Sequence, residues 1–160
     1  MEIEKKYTIR KLPDNLEQYA CVKIEQGYLC KGPIVRIRRW NEDYILTYKS
    51  KSEFDEKKYG TKITNEVELP LTKEAYEHLK EKVDGSLIVK DRYLIPLSQG
   101  RTAELDCFHG HLEGLCFAEV EFDSIEQAEQ FVCPEWFDED VSLDRRYANY
   151  YLSTVSKWNP

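Results

Sequence analysis

The chain opens Met1-Glu2-Ile3-Glu4-Lys5-Lys6-Tyr7-Thr8-Ile9, and this stretch sets the reading of the whole sequence. In a strand, successive side chains point to opposite faces. Residues 2–9 therefore place Glu2, Glu4 and Lys6 on one face and Ile3 and Tyr7 on the other. The same period-two alternation returns in seven further segments, about 22–30, 34–40, 44–51, 62–69, 86–95, 101–108 and 115–123. Their polar faces carry Arg36 and Arg38, Thr47, Lys49 and Lys51, Glu66 and Glu68, Lys90 and Arg92, Glu104 and Asp106, and Glu119 and Glu121. Their apolar faces carry Val35 and Ile37, Leu46 and Tyr48, Val67 and Leu69, Val89 and Tyr93, Leu105 and Cys107, and Val120 and Phe122.

Helices are few and short. Thr72 caps a helix over 73–83 with Ala75, Leu79 and Val83 as its apolar stripe. Ser124-Ile125-Glu126-Gln127 is a capping box for a helix running to Val132. Asp144 caps a C-terminal helix over 145–156, with Leu143 as a staple. A helical turn is expected near Asp14–Tyr19, and Pro134-Glu135-Trp136-Phe137 reads as a connector. The expected class is α+β, mainly β: eight antiparallel strands closed into a barrel with a charged lumen and helices packed outside, because closure leaves no edge unpaired. A twisted sheet with helices on one face and its charges in solvent is the other arrangement the pattern allows.

The 160 residues suit one domain, 1–160. The net charge of -7 speaks against a nucleic acid duplex as partner, since phosphate binding wants a basic face. No apolar run approaches the ~18 residues of a membrane span. An odd count of five cysteines and an N-terminus without an export signal point to reduced thiols in a cytoplasmic protein. The sequence is compatible with a monomer or a homodimer.

If the charged faces converge, seven basic and eight acidic side chains share one lumen. Carboxylates so placed need Lys, Arg or hard cations beside them. Glu2, Glu4, Glu119 and Glu121 are oxygen ligands suited to Mg²⁺ or Mn²⁺. Leftover guanidinium and ammonium groups want an anion, and phosphate is the natural one. The set suits a metal-bound polyphosphate.

These motifs resemble the CYTH superfamily, the triphosphate tunnel metalloenzymes. Glu2-x-Glu4-x-Lys6 is similar to that family's E-x-E-x-K signature. Arg36-x-Arg38, Thr47-x-Lys49, Glu66-x-Glu68, Lys90-x-Arg92, Glu104-x-Asp106 and Glu119-x-Glu121 follow in the family's order. Asp144-x-x-Tyr147-x-Asn149-x-x-Leu152 is similar to its closing helix. The resemblance spans almost the whole chain and is nearest to the small bacterial members, among which inorganic triphosphate hydrolysis is common. It implies an eight-stranded tunnel that hydrolyses the terminal phosphoryl group of triphosphate, nucleoside triphosphates included. By matched position it implies Glu2, Glu4, Glu119 and Glu121 as metal ligands. Lys6, Arg36, Arg38, Lys49, Lys90 and Arg92 would be phosphate contacts, with Glu4, Glu121 and Lys6 catalytic. Lys51, Glu66, Glu68, Glu104, Asp106 and Arg146 are further lumen or lid candidates. The same superfamily holds thiamine triphosphatases and adenylyl cyclases, and a non-catalytic polyphosphate-binding module is the third alternative.

Cys107-Phe108-His109-Gly110-His111 and Cys116 put two Cys and two His within ten residues. Their spacing is not a common zinc pattern. They read as thiols on the apolar face of adjacent strands with histidines in the turn between them.

Overall fold

The computed structural model describes residues 1–158. Eight antiparallel strands form a closed barrel: β1 (Glu2–Ile9), β2 (Ala20–Cys30), β3 (Ile34–Trp40), β4 (Asp43–Lys51), β5 (Lys62–Pro70), β6 (Asp84–Pro96), β7 (Thr102–Phe108) and β8 (Cys116–Phe122). Around the ring they run β5-β4-β3-β2-β6-β7-β8-β1, and β1 pairs back onto β5. One edge of β1 pairs with β8 from Ile3 to Thr8. Its other edge is shared: Glu2, Ile3 and Glu4 close the barrel on β5, and Tyr7 and Ile9 take a ninth strand, β9 (Phe137–Asp140).

β9 begins at Phe137, the last residue of the expected connector 134–137, and continues to Asp140, where no strand was expected. Four residues with one apolar side chain carry almost no period-two signal, so only its docking reveals it. Phe137 supplies that docking, buried and stacked on Tyr7 with ring centroids 4.8 Å apart. A second unexpected element, α1 (Glu56–Tyr59), is one turn capped by Asp55, whose side chain accepts from the Lys57 backbone N–H. The turn near residue 16 is a 3-10 helix, Leu16–Gln18.

α2 (Lys73–Lys80) begins at Thr72 as expected, and the Thr72 hydroxyl accepts from the Ala75 N–H at 3.1 Å. Its buried anchor is Tyr76 rather than the Ala75–Leu79 stripe. The Tyr76 hydroxyl donates to Glu25 at 2.8 Å and so fastens the helix to β2. α3 (Ile125–Glu129) starts at the Ser124 cap. With β9 it covers a core of Ile3, Tyr7, Ile63, Leu105, Ala118, Val120 and Phe122 on the outer wall. Part of the apolar outer face stays uncovered: Val67 and Leu69 on β5 are each more than half exposed.

The C-terminal helix expected over 145–156 is two pieces. Asp144 does cap, accepting from the Arg146 N–H at 3.0 Å. A 3-10 turn, Arg145–Tyr147, follows, and Ala148 is then extended before α4 (Asn149–Thr154). The break leaves the Tyr147 carbonyl free to accept from Lys6 Nζ at 2.7 Å, a bond that a continuous helix would have used internally. Leu143 is exposed and staples nothing. α4 plugs one end of the barrel, with Leu152 buried against Tyr28, Ile88, Phe108, Leu112 and Phe117. None of the described helices is long and apolar enough to cross a membrane.

Gly85 sets how closely α4 lies on β6. Its φ is +66°, and a Cβ there would stand 2.4 Å from the Ser153 carbonyl oxygen. Gly100 has a similar φ of +72° with open space around it. Gly100→Ala should therefore cost about 1 kcal/mol of left-handed strain, and Gly85→Ala clearly more, because the plug must also shift. Urea unfolding midpoints of the two variants measure the difference.

Candidate functional site

The charged faces do point inward. They line a cavity of about 1570 Å³, far roomier than a barrel filled by its own side chains. Register explains the convergence. Across the β3–β4–β5 wall, Arg36 faces Thr47, which faces Glu68, and Lys49 faces Glu66. Lys51 faces Thr64, which faces Glu2 on β1. On the opposite wall Glu4 faces Glu121, Lys6 and Glu104 both face Glu119, and Arg92 faces Asp106.

Glu2, Glu4 and Glu121 each bring a carboxylate oxygen within 4.8 Å of the others. Such a cluster resists full ionisation. Burial, and then Glu119, push the Glu4 carboxyl well above its ordinary range. Burial, and then Glu104 and Glu2, raise Glu121 to about 7. Lys49 stands over the cluster, 3.0 Å from Glu2 and 3.8 Å from Glu4. A hard divalent cation is what this donor set fits: all-oxygen, anionic and short of positive charge.

Glu119 behaves differently from the other three. Although burial works against its charge, Lys6 at 3.7 Å, and then the neighbouring Glu4 carboxyl, hold it well below the carboxylate range. It sits at the edge of the triad as a fixed anion. Lys6 itself lies over the Phe117 ring at 4.3 Å.

The basic groups fall into compensated and uncompensated sets. Arg92 is fully engaged, with Nε and Nη2 on Asp106 at 2.7 and 3.0 Å and Nη1 on Glu104 at 2.7 Å. Arg36 has Thr47 at 3.2 Å and Glu66 at 3.6 Å. Arg38 is 7% exposed and, among the described residues, no carboxylate lies within 4.0 Å of it. Its Nε donates to the neutral Gln26 side chain at 2.9 Å. Burial, then Arg36 and Arg92, lower its pKa to about 9, so near neutral pH it is a cation without a partner.

Most of the sequence candidates line the cavity: Glu2, Glu4, Lys6, Arg36, Arg38, Lys49, Lys51, Glu66, Glu68, Arg92, Glu104, Glu119 and Glu121. Lys90 and Asp106 do not, being fully buried behind the wall and paired at 2.8 Å. The Asn149 side chain also accepts from Lys90, at 3.2 Å. Burial pushes Lys90 down to about 7. Burial opposes the Asp106 charge, but Arg92 and then Lys90 hold it low. Arg146 lies outside, exposed and paired with Asp144 at 2.7 Å; its neighbour Arg145 lines the mouth instead. Gln26, fully buried beneath Arg38, was missed. The signal was present: residue 26 is an uncharged polar side chain on the lumen face of β2, directly opposite Arg38. A smaller cavity of about 280 Å³ near Arg101 and Asp123 shares Glu104 and Glu121 with the first. The acidic end therefore lies between the two.

No family model matches the chain. It is 34% identical over 155 residues to an inorganic triphosphatase of Nitrosomonas europaea, covering 95% of this chain and 96% of that one. It is 34% identical over 154 residues to an inorganic triphosphatase of Acetivibrio thermocellus, covering 94% and 92%. The crystal structure of an inorganic triphosphatase superposes with a TM-score of 0.71 at 33% identity, over 99% of this chain and 97% of that one.

The raised Glu121 carboxyl has a stability consequence. The folded protein holds a proton there that the unfolded chain releases near its ordinary pKa of 4.5, so this group destabilises the fold as pH rises from about 4.5 to about 7. In buffer freed of divalent cations, Glu121→Gln should unfold at a higher temperature than the parent at pH 8, with the gap closing by pH 4. Thermal melts across that range check it.

Proposed function

The chain belongs to the family of the inorganic triphosphatases, the triphosphate tunnel enzymes, and from that premise we propose that its lumen hydrolyses inorganic triphosphate with the help of Mg²⁺ or Mn²⁺. The observation that carries the substrate reading is Arg38, a nearly buried cation facing the cavity with no anion of its own. A polyanion completes it. Arg36, with one carboxylate in reach, Lys6, with Glu119, and Lys49, which stands between the acidic triad and Glu66, also line the cavity. Together with Arg38 they bind the oxygens of successive phosphoryl groups. Arg92, held on both sides, offers a rigid wall to the same anion.

Glu2, Glu4 and Glu121 would hold the divalent cation. When bound, that cation neutralises phosphoryl charge and polarises the reacting phosphorus centre. Glu119, kept ionised by Lys6, is the acceptor placed to orient a water. In-line attack by that water forms one O–P bond and breaks the terminal anhydride, releasing phosphate and pyrophosphate. Catalysis of this kind is mainly positioning and charge stabilisation. It requires nothing from a nucleoside, so inorganic triphosphate should turn over at least as fast as ATP. The odd cysteine count suits a reducing cytoplasm as the setting.

Phosphate release from triphosphate, ATP, GTP and thiamine triphosphate, each with Mg²⁺ or Mn²⁺, tests the reading. Triphosphate should be the best substrate and EDTA should abolish turnover. Cyclic AMP as the main product from ATP, or tight triphosphate binding with no phosphate released, overturns it.

Two variants separate the lumen from the outer wall. Arg38→Ala should lower kcat/KM for triphosphate by about 100-fold or more, the scale expected for losing a charge-stabilising donor. Arg38→Lys should recover little, because the planar fork is lost. Arg39 is exposed on the outer wall and bonded to the Asn41 carbonyl at 2.8 Å. Arg39→Ala should stay within about two-fold of the parent, as surface changes away from the reacting groups do. Equal losses at the two positions would refute the inward assignment of Arg38.

A further inference from the structure

We propose that Cys107 and Cys116 form an oxidisable dithiol on the outer wall of the barrel, closed to an intramolecular disulfide by a peroxide or a small-molecule disulfide. The two residues stand directly opposite each other on β7 and β8. The next pair along, Phe108 and Leu115, is hydrogen-bonded, the Phe108 N–H donating to the Leu115 carbonyl at 3.0 Å. Pairs alternate along an antiparallel ladder, so Cys107 and Cys116 occupy a non-hydrogen-bonded position. There the α-carbons are about 4.5 Å apart and the side chains are at their closest. That separation falls inside the range of about 4.4–6.8 Å which a disulfide spans.

Both side chains face outward, since Asp106 and Phe117, their neighbours in the strands, face the interior. Both thiols are free and partly exposed, so a small oxidant has access. The short turn of residues 109–115, with its 3-10 helix Gly110–Leu112, holds the strands in register. Cys21 and Cys133 are more exposed, but neither has a cysteine opposite it in a ladder. A shared metal is not the better reading of the motif. Among the described residues, the only group of three or more His, Cys, Asp or Glu whose ligand atoms converge is Glu2, Glu4 and Glu121.

The surroundings make the two sulfurs unequal. The two thiols lie side by side, and their interaction pulls Cys116 below the usual thiol range and pushes Cys107 above it. His109, ion-paired with Asp91 at 3.0 Å, adds positive charge beside Cys116. Asp106 and Glu113 oppose ionisation there. Cys116 is therefore the attacking thiolate. With hydrogen peroxide, the Cys116 sulfur takes one oxygen, the O–O bond breaks, and hydroxide leaves to collect the proton that the thiol gave up. The Cys107 sulfur then attacks the sulfenic sulfur of Cys116. Its proton and the hydroxyl depart as water. Two thiols and one peroxide yield one disulfide and two waters. With oxidised glutathione, Cys116 first forms a mixed disulfide, and Cys107 displaces the second glutathione.

The full-length protein is treated with oxidised glutathione, quenched by alkylation and digested with a protease that cuts after glutamate. Cleavage at Glu104, Glu113 and Glu119 leaves residues 105–113 and 114–119 as separate peptides unless the disulfide joins them. The expected product is the joined pair, split by a reductant. In Cys107→Ser the Cys116 peptide should keep its glutathione. In Cys116→Ser no joined peptide should form. Recovery of the two parent peptides separately, under conditions that glutathionylate Cys21 and Cys133, overturns the proposal. So does a Cys116 disulfide to any cysteine other than Cys107.

Discussion

Charge compensation inside a closed barrel governs this molecule. A charge removed from bulk water must find a partner or change its ionisation state, and the lumen does both. Arg92 and Lys90 are matched against Asp106 and Glu104 at 2.7–2.8 Å, and that corner is finished. Breaking such a buried pair from one side leaves an orphaned charge and costs about 3–5 kcal/mol. Beside it, the books are left open on both signs. Glu4 and Glu121 cannot easily ionise together, and Arg38 has no anion. The proposed ligands, a divalent cation and a polyphosphate, would resolve both imbalances at once.

The apolar parts serve this arrangement. The outer core under α3 and β9 rigidifies the β1–β8–β7 wall, which carries Glu4, Lys6, Glu119 and Glu121 on its inner side. The α4 plug and the 3-10 turn before it close the end where Lys6 and Lys90 sit, and they contribute two polar contacts, the Tyr147 carbonyl from the turn and the Asn149 side-chain oxygen from α4. A continuous helix from 145 to 156 could not have offered that carbonyl. The break at Ala148 and the placement of Lys6 are thus one feature.

Within the lumen, Lys49 is the pivot between the two unbalanced groups. It is the nearest positive charge to Glu2 and Glu4, and it also reaches Glu66 at 4.0 Å, which in turn pairs with Arg36. Any cation that takes over Glu2 and Glu4 weakens the hold of those carboxylates on Lys49. The proposed metal and phosphate sites would thus be electrostatically linked through this side chain.

The eight strands, their charged faces and the helix caps at Thr72, Ser124 and Asp144 were legible in the sequence, because alternation and capping act between residues a few positions apart. That the charged faces turn inward, with Glu2, Glu4, Arg36, Arg38, Lys49 and Arg92 in one lumen, followed only from the resemblance of the ordered motifs, since alternation alone also allows a sheet with its charges in solvent. Alternation reports which face a side chain takes but not its depth along the barrel axis or its partner across it. Those depend on register between strands remote in sequence. Only the folded chain therefore separated Glu119, bound to Lys6, from the triad of Glu2, Glu4 and Glu121. Only there did Lys90 and Asp106 retreat behind the wall while Arg38 stayed unpaired above Gln26. Arg145 and Arg146 are adjacent and chemically identical, and the 3-10 turn decided that the first lines the mouth and the second pairs with Asp144 in solvent. β9 and α1 escaped for the converse reason: at four residues each they are too short for a period to show, and it is the buried Phe137 and the Asp55 cap that hold them in place.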